Sequence, residues 1–253
     1  MRKDIVKVNW SGGKDSSCAA HLHLAQGDEC IIVNYIPMFT DKIPLILKEH
    51  YEFILRTADK FREMGGQVHI LHGMTYWEYV THIAKTGKNK GLPFGVPCFK
   101  RGQCGFKRDS KEKAISSFDK NFSIKYDYCD IGIAYDEKDR QAQLNEKKRS
   151  ILVEKKITEA DAALYCLRNG IYSPHYKKFK RDGCVLCANA PPAEREEWFR
   201  QYPESFSLLL ELQDFVKRER PEQFPLRGYR WFIEEDLQMS LFDEPGKTKY
   251  LIN

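Results

Sequence analysis

The sequence predicts an α/β protein: a doubly wound, mostly parallel, Rossmann-like sheet carrying a small C-terminal helical cap. Three observations point there. The chain opens with the β-branched run Asp4-Ile5-Val6-Lys7-Val8-Asn9-Trp10, a glycine loop, and a helix-like stretch through Gln26 that Gly27 closes. Two further apolar runs then alternate with helical periodicity, giving the order βαβαβα, which calls for parallel strands with helices on the sheet faces. After Pro191 the pattern turns helical and aromatic, without strand signals. With 253 residues the chain accommodates one large domain and an appendage, and we expect residues 1–190 to form the α/β unit and 191–253 a helical extension.

Each element has a local reason. Residues 29–35 are continuously apolar apart from their ends, as a strand buried on both faces requires. A long helix is expected over residues 44–64, with Pro44 at its first position, Ile46, Phe53, Ile54, Ala58 and Phe61 on one face, and Gly65-Gly66 closing it. Residues 67–72 read as a third strand and 75–84 as a helix whose aromatic stripe is core packing. Residues 86–109, rich in Gly and Pro, form a loop long enough to be functional. Asp109 or Ser110 then caps a helix that runs to about Lys120. Residues 127–134 give a fourth strand, and Thr158-Glu159-Ala160-Asp161 opens a helix in capping-box style, ended by Asn169-Gly170. Cys166 on that helix is expected in the core. Helices are expected from Ala193 to Tyr202, from Pro203 to Arg218 and around 231–241.

The first loop, Ser11-Gly12-Gly13-Lys14-Asp15-Ser16-Ser17, carries the most chemistry. Glycines let backbone approach an anion, and a helix start presents unpaired N–H groups and the positive end of its dipole. Ser11 with Ser16 or Ser17 can donate hydroxyl hydrogen bonds to phosphate, and Lys14 brings a full charge. Asp15 repels phosphate unless a cation intervenes, so it reads as a Mg²⁺ contact or as a helix cap. The loop is not a Walker A motif: Asp15 follows Gly13-Lys14, and Val8 stands where the first glycine belongs. A strand-to-helix turn without a ligand is the plain alternative, and it does not need this much polar chemistry. Asn34 and Tyr35, closing the second strand, are candidates to line an adenosine pocket or are ordinary strand-end residues.

Apolar residues at 42% with 13% aromatics provide for a real core and exclude wholesale disorder. The net charge of +5 is mild, but basic residues cluster at 100–101, 107–108, 147–149, 177–181 and 217–218, as an anionic partner such as nucleic acid or a solvated surface requires. No stretch has the pattern of a signal peptide or a membrane span, so a cytoplasmic protein without membrane contact is expected, in which eight cysteines are free thiols or metal ligands. Cys184-x-x-Cys187 has the spacing of a metal knuckle and also of a redox dithiol. Together with Cys98-x5-Cys104 it supplies four thiolates, the number for tetrahedral Zn²⁺ or a [4Fe–4S] cluster, unless these are unrelated thiols.

Ser-Gly-Gly-Lys-Asp-Ser after a first strand resembles the PP-loop of the adenine nucleotide alpha-hydrolase superfamily. The cysteine segment 94–111 and Gly132-Ile133-Ala134-x-Asp136-Glu137-x-x-Arg140 are similar to the phosphoadenosine phosphosulfate reductase family in its broad sense, and the likeness covers roughly residues 4–200. The resemblance implies ATP cleavage between the α and β phosphates, with an acceptor activated for sulfur transfer, nucleic acid among the candidates. It implies Lys14 and Asp15 as catalytic residues, Ser11, Gly12, Gly13, Ser16, Ser17, Asn34, Tyr35, Gly132 and Arg140 around the nucleotide, Mg²⁺, and a cluster or zinc at Cys98, Cys104, Cys184 and Cys187. A sulfur donor such as a cysteine desulfurase is an expected partner, and a homo-oligomer stays open. The family commonly has Arg where this chain has Ala134; Arg140 then contacts phosphate or forms an i,i+3 salt bridge with Glu137. Phosphosulfate reduction is the alternative function, but no cysteine follows Cys187 to take a sulfite. A second alternative is a non-catalytic nucleotide- and metal-binding subunit of a nucleic-acid machine.

Overall fold

A computed structural model describes residues 4–97, 104–122, 125–187 and 189–223. Five strands form one all-parallel sheet: β1 (Ile5–Trp10), β2 (Glu29–Tyr35), β3 (Gln67–Leu71), β4 (Tyr128–Ile131) and the short β5 (Lys148–Arg149). Their spatial order is β3-β2-β1-β4-β5, with β1 central and in register with β2 from Ile5↔Glu29 to Trp10↔Asn34. The chain grows outward from β1 first through β2 and β3, then on the other side through β4 and β5. The order therefore reverses at β1, and the crevice beyond its carboxyl end is where ligands sit in such sheets.

Helix α1 (Lys14–Ala25) follows the glycine loop and is buried along most of its length, with Cys18, Ala19 and Ala20 against the sheet. Small side chains are what allow α1 to lie close to both the sheet and α7 (Glu159–Arg168), its main helical neighbour. Helix α2 (Lys48–Glu63) presents Phe53, Ile54, Ala58 and Phe61 to Val6, Val8, Trp10 and Ile32, and ends before Gly65 at φ +94°. It starts later than residue 44: Pro44 instead forms a bridge with Met38, and Leu45 donates its N–H to the Pro37 carbonyl, so residues 36–47 make a tight loop. Helix α3 (Tyr76–Thr81) is shorter than expected, but Thr75 and Glu78 form a full capping box, and Tyr76 and Tyr79 are core. Asp109 and Ser110 do not cap a helix start. They lie inside a π-turn, Lys107–Glu112, that leads into α4 (Lys113–Asn121), and Asp109 pairs with Arg108 and Lys113. Strand β4 stops at Ile131, three residues before the expected end, because the chain turns away at Gly132.

Two short helices, α5 (Lys138–Gln141) and α6 (Ile151–Glu154), follow β4 and β5. Asp130, fully buried at the end of β4, accepts from the Ile151 N–H (2.7 Å) and from His23 Nε2 (3.0 Å) of α1, joining three elements at one carboxylate. In α7, Thr158 caps Asp161 as expected, Asn169 and Gly170 (φ +63°) close the helix, and Cys166 is buried. Helices α8 (Pro192–Gln201) and α9 (Glu204–Glu219) lie where helices are expected over 193–202 and 203–218; the stretch around 231–241 lies outside the described residues. Their Trp198, Phe199, Phe206, Leu209, Leu212 and Val216 share a second core with Phe39, Leu45, Leu47, Tyr76 and Tyr79. Trp198 Nε1 donates to the Pro44 carbonyl at 2.9 Å, which fixes the 36–47 loop against α8. Among the described residues no helix is long and apolar enough to cross a membrane.

Candidate active site

The glycine loop lies at the carboxyl end of central β1, at the reversal point of the sheet. Gly12 has φ +84°, and a Cβ there would also come within 2.8 Å of Ile54, so both backbone and space call for glycine. Gly13 is the N-cap of α1 and carries no side chain to fill the space over the helix start. Gly132 approaches from the other side: a Cβ on it would stand 2.6 Å from the Ser16 nitrogen and 2.7 Å from Ser16 Cα. It is the absence of a side chain on Gly132 that lets the turn after β4 rest on the first turn of α1.

The three serines divide their work. Ser11 is exposed; its hydroxyl accepts from the Gly13 N–H (3.2 Å) and pairs with Ser16 Oγ (3.1 Å). Ser16 Oγ donates to the Gly13 carbonyl and accepts from the Ser11 N–H, bracing the loop from within. Ser17 is fully buried and accepts from Trp10 Nε1 at 2.8 Å, which ties the end of β1 to α1. Of the three hydroxyls, Ser11 is the one the structure leaves at the surface.

Lys14 Nζ pairs with Asp15 Oδ2 (2.9 Å) and Glu159 Oε2 (2.7 Å). Burial alone would lower the ammonium, but its bonds to these carboxylates outweigh that and hold it above its ordinary pKa. Burial raises the Asp15 carboxyl in spite of Lys14, helped by the charges of Glu159 and Glu137. Asp15 Oδ1 is buried and has no hydrogen-bond partner among the described residues. A buried carboxylate oxygen without a donor beside a phosphate-type loop fits a hard cation such as Mg²⁺, which takes one or two carboxylates together with phosphate oxygens. Arg140 is turned to Glu137 (2.5 Å), so the i,i+3 salt bridge is the arrangement present. Asn34 is fully buried and donates to the Trp10 carbonyl (2.9 Å), pinning β2 to β1.

A cavity of about 310 Å³ opens beside the loop. Ser11, Tyr35, His50, Asp182 and Arg181 line it, together with Lys107, Lys111 and the thiols of Cys104, Cys184 and Cys187. Tyr35 reaches it from the end of β2 and is held by Ser110 Oγ at 2.6 Å. Burial, with Lys107 nearby, pulls the Lys111 ammonium down, and burial pushes the Cys104 and Cys184 thiols up. Cys104 of the first cysteine segment and Cys184 and Cys187 of the second thus line one cavity. They do not by themselves make a metal centre: among the described residues no three Cys, His, Asp or Glu side chains gather into a group that can hold an ion. Cys98 lies outside the described residues.

Glu159, Tyr176, Asp182 and His50 carried no assigned site role in the sequence. Glu159 holds Lys14 from α7, and its own N–H is capped by Asp136 (3.0 Å). Tyr176 OH accepts from the Lys14 N–H (3.4 Å) and donates to Asp182 Oδ2 (3.3 Å). His50 is buried beneath Gly12, its Nδ1 paired with Ser173 Oγ (2.8 Å) and its Nε2 without a partner among the described residues. Pairing across 162 residues between Lys14 and Tyr176 is not a local signal in the sequence.

The fold and loop define a doubly wound parallel α/β protein with a glycine loop and a thiol-lined cavity at its switch point. No protein-family model matches the chain, nor does any curated protein. Among solved structures it is similar to a 4-thiouridine synthetase determined in complex with RNA and bound ATP, at 16% identity and a TM-score of 0.43. The match covers 83% of this chain and 53% of that one, so this chain spans about half the length of that protein.

Proposed function

We propose that the chain is an ATP pyrophosphatase that cleaves ATP between the α and β phosphates and activates an acceptor for sulfur transfer. The observation that carries this reading is the glycine loop at the sheet's reversal point, opening onto a cavity that holds three thiols and the cations Lys107, Lys111 and Arg181. An adenine nucleotide is the ligand proposed for the loop, with nucleic acid as the acceptor and a cysteine desulfurase-type donor as the sulfur source.

Such chemistry is mainly positioning and charge stabilisation, which a loop of backbone N–H groups and one lysine can supply without a dedicated base. Gly12 and Gly13 permit close approach of the phosphates, Ser11 donates its hydroxyl, and Lys14 exchanges a carboxylate partner for a phosphate oxygen. Asp15 would hold Mg²⁺ through its unpartnered oxygen; when bound, the ion neutralises charge developing on the leaving pyrophosphate. Burial favours the protonated thiols of Cys104 and Cys184, and Lys107, Lys111 and Arg181 favour an anionic acceptor.

The test is product identity. Incubating the full chain with ATP and Mg²⁺, with and without candidate tRNA or DNA acceptors, is expected to release AMP and pyrophosphate in equal amounts. Release of ADP and phosphate, or binding without turnover under every acceptor condition, would overturn the proposal.

A further inference from the structure

The space over Gly13, where an anion would meet the start of α1, holds a carboxylate. Asp182 Oδ2 stands so close that a Cβ on Gly13 would collide with it, and Tyr176 OH lies 3.2 Å from the same point. The two side chains act as a unit: the Lys14 N–H donates to Tyr176 OH, and Tyr176 OH donates to Asp182. Burial pushes the Tyr176 phenol well above its ordinary range, so it remains a neutral donor. Asp182 forms no ion pair among the described residues. Asp15 is different, because Lys14 compensates its charge directly at 2.9 Å.

An anion entering the loop therefore meets, at contact distance, a carboxylate that no ion pair among the described residues neutralises; the Lys111 ammonium acts on it only through space, from the cavity wall. A divalent cation carried with the anion reverses the sign of the encounter, since hard cations take carboxylate and phosphate oxygens together. We propose that Asp182 is a specificity-determining residue of the loop, admitting polyphosphate that carries a divalent cation and excluding the bare anion. The inference rests on the reading of the loop as a phosphate seat and adds a selectivity to it. It also gives the cysteine segment a link to the loop, because Asp182 is two residues from Cys184 and both line the cavity.

The experiment is isothermal titration of the full chain with inorganic pyrophosphate and with ATP, in Mg²⁺ and in EDTA. Wild type is expected to bind the Mg²⁺-loaded forms at least about tenfold more tightly than the bare ones, the scale of one charge repulsion near a surface. Asp182→Asn should bring that ratio toward one by gaining affinity for the bare anion. Asp15→Asn should instead lose affinity for the loaded form and still exclude the bare one. Asp182→Ser repeats the measurement should the Asn variant fold poorly, as checked by circular dichroism. An unchanged ratio in a folded Asp182 variant would overturn the proposal while leaving the loop assignment standing. Failure of wild type to bind either form would remove the phosphate seat itself, and the selectivity with it.

Discussion

Gly132→Ala probes the contact on which the whole site depends. The added Cβ would sit 2.6 Å from the Ser16 nitrogen, 2.7 Å from Ser16 Cα and 2.9 Å from the Asp15 carbonyl carbon, all backbone atoms of the first turn of α1. Non-bonded carbon contacts are comfortable at about 3.5–4.0 Å, so the turn after β4 must retreat by roughly 1 Å. It has little room to do so. Strand β4 is in register with β1 through Asn9↔Ile131, and Asp130 is tied to His23 and Ile151. Overpacking of this kind costs about 1–3 kcal/mol, a sizeable share of a typical net stability of about 5–15 kcal/mol. The functional effect should be larger than the loss of stability, since a misplacement of about 1 Å can cost on the order of 100-fold in a positioned reaction. The assay pairs urea unfolding with titration of ATP and Mg²⁺. Gly65→Ala is the control: nothing lies within 4 Å of its Cβ, but φ is +94°, so it should lose about 1–2 kcal/mol without losing nucleotide affinity. A Gly132→Ala protein with wild-type midpoint and wild-type affinity would refute the packing argument.

Lys14→Ala should weaken ATP binding by about 10- to 100-fold, the scale of one lost charge-assisted hydrogen bond, with an unchanged far-UV spectrum; unchanged affinity would sink the loop assignment. Histidine NMR titrations should separate two buried rings of opposite behaviour. Burial lowers His50 to about 4, so it favours the folded state above the unfolded value near 6.5, and about 3 kcal/mol is lost as pH falls from 6.5 toward 4. For His23 burial would also lower the pKa, but Asp130 and Asp28 outweigh it and raise it. Its stabilisation is therefore complete below about 6.5 and lost as pH rises through the folded value. A His50 midpoint near 6.5, or a His23 midpoint below that, would contradict the packing. Metal analysis of protein purified without oxygen tests whether Cys98 completes the set of Cys104, Cys184 and Cys187. If the four thiols share an ion, wild type carries one zinc, or iron with labile sulfide, and Cys184→Ser loses it; wild-type protein free of both metals accords with the absence of a metal-holding group among the described residues and refutes a shared site.

Much of the architecture was legible because it is written in local patterns. The β-branched run before Ser11, the apolar run of β2 and the closing glycines Gly27, Gly65 and Gly170 are short-range signals, and they place the glycine loop at the end of a strand and the start of a helix. The capping box at Thr158 and the buried place of Cys166 follow from spacing in the same way. Errors fell where long-range contacts decide. Pro44 suits a helix start, yet Met38 and Trp198 claim the segment for the second core. Asp109 and Ser110 suit an N-cap, but Ser110 is needed by Tyr35 and Met74, and Asp109 by Arg108 and Lys113, so the helix continues through them as a π-turn.

The division at the site is the same. Residue types and spacing alone determined that the loop is rich in glycine, hydroxyl and charge, and that two cysteine segments exist. Only the tertiary structure decided which of those groups are available. It buried Ser17 under Trp10, turned Arg140 to Glu137, set Glu159 on Lys14, and placed Tyr176 and Asp182 over Gly13. Those pairings join residues up to 162 positions apart, and they are chosen by the packing of α1 against α7 and of the 174–187 segment against the loop. A side chain's chemistry is local, but its partner, its burial and hence its charge are properties of the assembled fold.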